Sequence, residues 1–215
     1  MSTTELGPTA PRGRPQASSR EMLQEAAFEL FLENSYAKTT IEQIANRAGV
    51  SRNTFFNYFT SKSDVFWVDL DVSLETLTEA LAAGGTSSDT GTPSVSGTPS
   101  VMADIRAALL AVSKHFGPAH VPWPLTQYAL IGSVNELQAS AISRLTAHAR
   151  LLDEYITRRS PLAGEQTARA AAYAVLGATI AAAQSWAAAG TSRGELEPYL
   201  DAALTPICEG FARLL

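Results

Sequence analysis

The side chains best suited to chemistry in this sequence lie on one short stretch, residues 51–59, SRNTFFNYF. Phe55 and Phe59 are four residues apart, so on a helix they share one face, which we expect to point inward. The side chains that then point outward or lie along the flanks are Arg52, Asn53, Thr54, Phe56, Asn57 and Tyr58. Guanidinium, amide and hydroxyl groups on one exposed face can hydrogen-bond to base edges and phosphates in a DNA major groove.

Two short helices joined by a tight turn would position that face. Ala45 and Gly49 provide the small residue at a helix crossing and the glycine that such a turn requires. Thr40 with Gln43 predicts a capping box on the first helix, and Ser51 predicts the N-cap of the second. Apolar side chains would fill the small core: Ile41, Ile44, Ala48, Val50, Phe55 and Phe59. The alternative is two helices of an ordinary bundle, but three aromatic and two amide side chains make a poor solvated surface.

Residues 19–71 resemble the N-terminal domain of the TetR family of transcriptional regulators. The family pattern is carried here by residues 27–31 (AFELF), by Thr40 through Ser51, and by residues 54–59 (TFFNYF) followed by Lys62. Beyond this first third of the chain, only the all-helical plan is similar. The resemblance implies a homodimer that binds operator DNA, acts by default as a repressor, and is released by a small-molecule effector.

The same resemblance implies a role for each residue of the motif. Thr39 and Thr40 would anchor phosphate at the start of the second helix, with the helix dipole behind them. Tyr58 and Lys62 would grip the DNA backbone. The residues that would face the groove are Ser51, Arg52, Asn53, Thr54 and Asn57.

Two positions of the third helix depart from the family pattern. Phe56 stands where the family usually has tyrosine, so a phosphate-binding hydroxyl is missing and a stacking or methyl contact remains. Asn53 replaces the family's common glycine and adds an amide that can bind adenine in bidentate fashion. We therefore expect this helix to use one phosphate contact fewer and one base contact more than the family pattern.

An arginine-containing arm precedes the first helix. Residues 12–15, Arg12-Gly13-Arg14-Pro15, resemble the core of the AT-hook, whose two arginines enter a narrow A·T minor groove. The alternative is a disordered basic tail, residues 1–18, that adds only nonspecific attraction to DNA. Deletion of residues 1–15, followed by measurement of the salt dependence of DNA binding, would distinguish these two roles.

Helical periodicity continues along the chain and predicts an all-α fold of about nine helices. Helices are expected at about 19–34, 40–48, 51–59, 61–81, 102–116, 124–137, 142–159, 165–189 and 192–214. Residues 84–100, which are almost entirely Gly, Ser, Thr and Pro, predict a flexible loop. We therefore divide the chain into the arm (1–18), a helix-turn-helix domain (19–64) and a helical effector-binding and dimerisation domain (65–215).

The last two predicted helices have the features of a dimer interface. A short recognition helix reads few bases, so useful specificity requires two copies about one helical turn, ~34–36 Å, apart. Small residues recur every four positions on the helix at about 165–189: Ala170, Ala174, Ala178 and Ala182. The apolar seam of the helix at about 194–214 would complete a four-helix interface. The alternative is that both helices are buried within their own domain.

The middle helices carry aromatic and polar side chains on an apolar frame, as a small-molecule pocket requires. The candidate lining residues are His115, His120, Trp123, Tyr128, His148, Tyr155, Tyr173, Gln184 and Trp186. The alternative is that each is a separate core or surface residue. Residues 61–71, SKSDVFWVDLD, resemble those of TetR-family controllers of redox-cofactor or fatty-acyl metabolism. That resemblance implies an apolar or aromatic effector, with an acyl-CoA-like ligand among the options.

Charge and composition restrict the other classes of function. The net charge of −5 divides unevenly, because residues 1–62 hold seven Lys/Arg against six Asp/Glu and the remainder holds nine against fifteen. Local distribution, rather than net charge, decides attraction to phosphate. The three histidines and one cysteine lack metal-ligand spacing, and no nucleophile elbow or phosphate-binding glycine loop is present. We therefore expect no catalytic residue, metal or cofactor, and regard an enzyme and a pure protein-interaction bundle as rival hypotheses.

The expected location is the cytoplasm. A lone cysteine, Cys208, fits a reducing compartment, and the N-terminal residues lack the apolar core of a secretory signal. Residues 170–189 are uncharged and long enough to span a bilayer, but they are mostly alanine and include Thr179 and Gln184. We therefore expect a buried helix there and no membrane partner.

Overall fold

A computed structural model of the protein describes residues 19–84, 100–119 and 121–215, apart from the side chain of Tyr128. Every regular element in these ranges is a helix, which confirms the all-α prediction. The chain divides into two compact units, one ending at Val65 and one beginning at Phe66, here called the head unit and the body. The predicted arm lies outside the described residues. So does the predicted loop, except that Gly84 ends a helix and Ser100 caps the next one.

The head unit consists of α1 (Ser19–Asn34), α2 (Ile41–Arg47) and α3 (Arg52–Tyr58), followed by a 3-10 helix (Lys62–Phe66) at its boundary with the body. The capping box of α2 is formed as predicted, because Thr40 Oγ1 accepts from the Gln43 backbone N–H (3.2 Å) and Gln43 Oε1 accepts from the Thr40 N–H (2.8 Å). Gly49 adopts φ +70°, a left-handed conformation that glycine accommodates without strain. The buried hydrophobic residues of the three head-unit helices and their connecting turns are Leu23, Ala26, Ala27, Leu30, Phe31, Tyr36, Ile44, Ala45, Phe55 and Phe59.

The body contains seven further helices among the described residues. They are α4 (Val68–Gly84), α5 (Val101–Ser113), α6 (Trp123–Thr126), α7 (Tyr128–Ser133), α8 (Asn135–Arg159), α9 (Glu165–Ala188) and α10 (Glu197–Phe211). Helix α9 packs against α8 on one side and α10 on another, and α5 packs against α4 and α10. Ala168, Ala171 and Ala172 of α9 are completely buried, so their small side chains let neighbouring helices approach closely. None of the described helices is long and apolar enough to cross a membrane.

One predicted helix, at residues 124–137, is broken into α6, α7 and the first turn of α8. The breaks fall at Gln127, with φ −107° and ψ 33°, and at Val134, which has extended backbone angles. Val134 is β-branched and follows Gly132 and Ser133, three residue types that favour helix weakly. The described residues therefore form ten α-helices rather than about nine.

Two helices begin later than their sequence patterns predicted. Asp64 Oδ2 accepts from the backbone N–H of Ser61 (2.8 Å), but this half of a capping box closes only the 3-10 helix, and α4 begins at Val68. The last helix begins at Glu197 rather than near Ser192, since residues 190–192 form a 3-10 turn. Proline in the first turn of that helix suits its start, because its missing N–H has no intrahelical role there.

Candidate nucleic-acid interface

Helix α3 is buried on one face and exposed on the other. Phe55 and Phe59 are 0% and 4% exposed, with ring centroids 5.3 Å apart, as their four-residue spacing predicted. The outward residues Arg52, Asn53, Phe56, Asn57 and Tyr58 are all exposed. The fold therefore gathers guanidinium, amide, aromatic and phenolic groups on one side of a two-turn helix, where they can meet a groove and its phosphates.

The start of α3 is fixed by a local hydrogen-bond pair. Ser51 Oγ accepts from the backbone N–H of Thr54 at 3.0 Å, which confirms the predicted N-cap. The two hydroxyl oxygens of Ser51 and Thr54 also lie 2.9 Å apart, so one donates to the other. Ser51 is exposed and Thr54 is half-buried. Both hydroxyls therefore lie at the edge of the exposed face rather than at its centre.

Arg52 is held in place by its neighbour Phe56. The guanidinium carbon lies 5.3 Å from the centroid of the Phe56 ring, a cation–π distance, and that ring is 45% exposed. The phenylalanine found in place of the family's tyrosine thus lacks a hydroxyl but supports an arginine. A supported side chain loses less rotational freedom on binding than a free one.

Thr39 and Thr40 are adjacent but are used differently. Thr40 is exposed and caps α2. Thr39 is only 2% exposed, and its hydroxyl donates to the carbonyl oxygens of Leu30 (3.1 Å) and Ser35 (2.9 Å). Its side chain therefore closes the turn between α1 and α2 and is not placed to anchor phosphate, which corrects the role implied by resemblance.

Lys62 also points into the protein. Its ammonium donates to the carbonyl oxygens of Tyr36 (2.7 Å) and Thr39 (2.9 Å) and lies 4.1 Å from the centroid of the Tyr36 ring. Two of its three N–H donors are thus bonded to backbone. The structure therefore shows Lys62 bonded to the protein's own α1–α2 turn, whereas the sequence predicted a contact with the DNA backbone.

An ion-pair network that the sequence reading missed joins α2 to α1. The Arg47 guanidinium donates to Glu33 (2.8 and 3.0 Å) and Glu29 (3.0 Å). These bonds hold the pKa of the Glu33 carboxyl below its usual range and raise the pKa of Arg47. Two glutamates four apart on α1 are a weak sequence signal for an ion pair, because Arg47 lies fourteen residues beyond Glu33 in the chain.

The residues predicted to line one effector pocket differ widely in their exposure. Trp186 is completely buried and its Nε1–H donates to the Gly194 carbonyl oxygen (2.8 Å), while Tyr155 is 2% exposed within the core of the body. Burial, followed by the nearby Asp104 carboxylate, raises the pKa of Tyr155. Tyr173 is 56% exposed. Two of these aromatic residues are therefore core and one is surface.

The other predicted lining residues are equally scattered. The Trp123 ring contacts the Phe66 ring edge-on (5.7 Å between centroids), and His148 Nδ1 lies 2.8 Å from the Arg144 carbonyl oxygen. Gln184 is half-buried on α9. His120 and the side chain of Tyr128 lie outside the described residues, as do Arg12 and Arg14. The separation of these positions follows from helix packing that no local pattern encodes.

The described residues of the body form clefts, of which two bear on the predicted sites. One of about 170 Å³ lies between α4 and α5 and is lined by Asp69, Val72, Ser73, Thr76, Val112, His115 and Phe116. His115 is thus the single predicted pocket residue that lines it. The other, about 220 Å³, lies between α5 and α10 and includes Arg106 and Cys208. Burial raises the pKa of the Cys208 thiol, against the opposing effect of Arg106, so this cysteine is not an activated nucleophile.

Part of α9 remains exposed along a single stripe. From Ala170 onward, its exposed residues are Ala170, Tyr173, Gly177, Ala181, Ser185 and Ala188, spaced three or four apart and without a charge, whereas the first turns of α9 also expose Glu165, Gln166 and Arg169. The predicted alanine series is divided, because Ala182 is buried in the body whereas Ala170 is exposed. Most of the predicted α10 seam packs inward, through Leu196, Leu200, Leu204 and Cys208. Apart from Tyr173, the stripe left exposed on α9 is therefore made of small residues.

Comparisons with known proteins match both units. Residues 23–66 match the model described as bacterial regulatory proteins, tetR family, and residues 99–212 match the MftR C-terminal domain. A Mycobacterium tuberculosis protein named as the mycofactocin biosynthesis transcriptional regulator MftR is 25% identical over 178 residues, covering 81% of this chain and 82% of its own. The regulator TcmR of Streptomyces glaucescens is 37% identical over 81 residues, 37% of this chain and 36% of its own.

Solved structures have the same fold. SmeT, the repressor of the Stenotrophomonas maltophilia multidrug efflux pump SmeDEF, aligns with a TM-score of 0.56 at 17% identity, covering 91% of this chain and 90% of its own. Thermus thermophilus FadR, in complex with lauroyl-CoA, aligns with a TM-score of 0.51 at 24% identity, covering 89% and 94%. The C-terminal model alone spans more than half of the chain. The protein therefore belongs to the TetR family of bacterial regulators, which are DNA-binding transcription factors rather than enzymes.

Proposed function

We propose that this regulator binds a two-fold symmetric operator as a homodimer, with the exposed face of α3 in the major groove of each half-site. The observation that supports it most directly is the division of α3 into a buried side, Phe55 and Phe59, and an exposed polar side. A helix of seven residues reaches few base pairs, so two copies related by symmetry are needed for a specific site.

Within that arrangement, Arg52, Asn53 and Asn57 read base edges. Asparagine binds adenine in bidentate fashion and arginine binds guanine, so these side chains provide direct readout. The oxygen-bearing side chains at the edges contact phosphates, namely the exposed Thr40, Ser51 and Tyr58 and the half-buried Thr54. Phe56 contributes by supporting Arg52 and by apolar contact with a thymine methyl. If Arg12 and Arg14 enter a minor groove, they add contacts outside the described residues.

The uncharged stripe on α9 forms the centre of the proposed dimer interface, with α10 beside it. Small side chains from Ala170 to Ala188 let the same stripe of a second copy approach closely across a two-fold axis. Exposed residues of α10 that are small or apolar extend that surface, namely Ala202, Pro206 and Gly210, as does Leu214 just beyond the end of that helix. A self-complementary patch of this kind is what an isologous dimer requires.

The proposed effector is an apolar or aromatic small molecule, with acyl-CoA-like ligands as the first class to test. The solved FadR complex contains lauroyl-CoA and a solved SmeT complex contains triclosan, so this fold holds both kinds of molecule in other proteins. Binding in the body favours a dimer whose two α3 helices no longer match the half-sites, and so relieves repression in the cytoplasm. A coupling of ~1–3 kcal/mol changes operator affinity by roughly five- to 150-fold.

Selection from random duplexes tests the DNA-binding proposal. Purified full-length protein is mixed with the library, and bound sequences are recovered and compared with those bound by Arg52→Ala and by Asn46→Ala. Asn46 is exposed on α2, outside the proposed contact set, and serves as the control. We expect a two-fold symmetric site that Asn46→Ala retains and Arg52→Ala weakens. Recovery of no common sequence would reject specific DNA recognition by this face.

A second measurement addresses the effector. The operator affinity of the full-length protein is determined with lauroyl-CoA, with free coenzyme A and with lauric acid. Weakening by lauroyl-CoA alone supports an acyl-CoA effector, whereas weakening by lauric acid points to the chain without the coenzyme. An unchanged affinity with all three would rule out this class of effector and leave the DNA-binding proposal standing.

A further inference from the structure

The turn between α1 and α2 has little regular structure of its own. After α1, Ser35 adopts φ 72° and its N–H bonds to the Phe31 carbonyl oxygen (2.9 Å). Within this turn, the Thr39 N–H also donates to the Tyr36 carbonyl oxygen (3.3 Å). Four residues then separate Ser35 from Thr40, the N-cap of α2. The conformation of this turn consequently depends on side-chain contacts from other parts of the head unit.

Lys62 provides that support from the far end of the head unit. Its ammonium bonds to the carbonyl oxygens of Tyr36 and Thr39, at both ends of the short turn, and lies against the Tyr36 ring. Hydrogen bonds from a charged donor are stronger than neutral ones, and the ring adds a cation–π attraction. Lys62 lies 26 residues after Tyr36 and 23 after Thr39, so this contact joins the segment that follows the helix-turn-helix to the turn that precedes it.

We propose that Lys62 is a positioning residue for DNA binding, which fixes the α1–α2 turn and through it the exposed N-cap Thr40. The proposal rests on the proposed use of α2 and α3 in DNA binding. Thr39 assists from inside, since its hydroxyl bonds to Leu30 and Ser35. Thr40, the next residue, presents its hydroxyl and the first turn of α2 to solvent. Lys62 therefore acts on operator affinity without touching the DNA.

This role differs measurably from a phosphate contact. A lysine that neutralises one phosphate contributes about 0.9 to the slope of log affinity against log salt concentration. A lysine bonded to backbone carbonyls contributes nothing to that slope. Loss of Lys62 as a positioning residue therefore weakens operator binding by a similar factor at every salt concentration.

The test compares full-length wild-type, Lys62→Met, Lys62→Arg and Thr39→Val proteins on the operator recovered by selection, between 50 and 200 mM salt. We expect Lys62→Met to weaken binding by roughly tenfold or more with an unchanged salt slope. Lys62→Arg keeps two donors and the charge, so it should restore much of the affinity. Thr39→Val should weaken binding in the same way as Lys62→Met.

Amide hydrogen exchange provides a second readout on the same proteins. We expect faster exchange at residues 40–44 in Lys62→Met, with exchange in α1 of the head unit and in α9 of the body unchanged. That pattern separates local release of the turn from general unfolding, and Lys62→Arg and Thr39→Val allow the comparison even if Lys62→Met does not fold.

Three results would overturn the proposal. A salt slope lower by about one phosphate in Lys62→Met, with the slope retained in Lys62→Arg, would make Lys62 a DNA contact. Unchanged operator affinity in both Lys62→Met and Thr39→Val would show that the α1–α2 turn does not influence DNA binding. If the wild-type protein selects no operator, the proposed function fails and this inference fails with it, whereas the first two results leave the proposed function intact.

Discussion

The head unit and the body use their polar side chains in different ways. In the head unit, Thr39, Thr40 and Lys62 bond to backbone or cap atoms of one connecting turn, beside the ion-pair network of Arg47. In the body, the polar contacts that join α8 to α4 and to α5 run between side chains and include ion pairs. Arg144 donates to both oxygens of Asp71 (2.8 and 2.9 Å), joining α8 to α4, and Arg159 donates to Asp104 (3.1 Å).

That contrast follows from size and from the apolar surface available to each unit. A unit of about fifty described residues has a small core, so individual hydrogen bonds fix the relative placement of its helices. The body has a continuous core of leucine, valine, alanine and aromatic side chains, and its ion pairs lie around that core. We therefore expect substitutions in the head unit to change geometry and affinity, and substitutions in the body to change stability and assembly.

The largest effect is expected in the body, from Trp186→Ala. This substitution removes a completely buried side chain and its bond to Gly194, which should cost about 3–5 kcal/mol of unfolding free energy. Denaturant unfolding measures it, with the fully exposed Leu162→Ala as the control, expected within about 0.5 kcal/mol of wild type. An unchanged unfolding midpoint together with a lost effector response would instead assign Trp186 to a ligand site.

The next largest effect is expected on assembly, from Ala181→Glu. This change places a carboxylate on the uncharged stripe of α9, where burial of an unpaired charge in a dimer costs several kcal/mol. The dimer dissociation constant measured by sedimentation should rise by roughly a hundredfold or more. Ala107→Glu, at an exposed position of α5, is the matched control. Equal dissociation constants for the two variants would show that the dimer interface does not include this stripe.

A smaller effect is expected on base preference, from Asn53→Ala in the head unit. Loss of a bidentate amide contact should reduce discrimination at one operator position by about 1–3 kcal/mol while the protein remains folded. Binding to operators that carry each base at every position measures it. Asn46→Ala should leave all preferences unchanged. If preference at every position survives in Asn53→Ala, this side chain does not read a base.

The smallest effect is expected from Glu33→Gln and depends on pH. The Arg47 hydrogen bond lowers the pKa of Glu33, so the ion pair contributes above the usual glutamate range and is lost as pH falls through the lowered pKa. The thermal midpoint of Glu33→Gln should therefore lie below that of wild type at pH 7 and converge with it in acid. Glu25→Gln, on the same stripe of α1, is the control. A gap that persists in acid would contradict this assignment.

The sequence predicted features of the head unit that arise within a few residues. The Thr40–Gln43 capping box, the Ser51 N-cap and the inward pair Phe55 and Phe59 are all confirmed. Each depends on a spacing of three or four residues, which helix geometry fixes wherever the helix lies. The exposed face of α3 followed from the same spacing, although its contacts with DNA stay a prediction.

The contacts that the sequence did not predict mostly join residues distant in the chain. Lys62 and Thr39 were expected to bind phosphate, and their actual partners lie between four and 26 residues away. The proposed effector residues were chosen by type alone, and helix packing placed Trp186 in the core and Tyr173 at the surface. A side chain with both polar and apolar parts suits a core, a pocket or a surface, so its type cannot decide among them.

The pairing of Arg47 with Glu29 and Glu33 has a consequence for how the regulator searches the chromosome. Genomic DNA offers about 10⁶–10⁹ competing sites, and attraction to them comes from cations free to neutralise phosphate. Because Arg47 is already paired with two carboxylates, it contributes little to that attraction. We therefore expect a larger share of the molecules to be left unbound in solution, so that fewer copies per cell would keep one operator occupied.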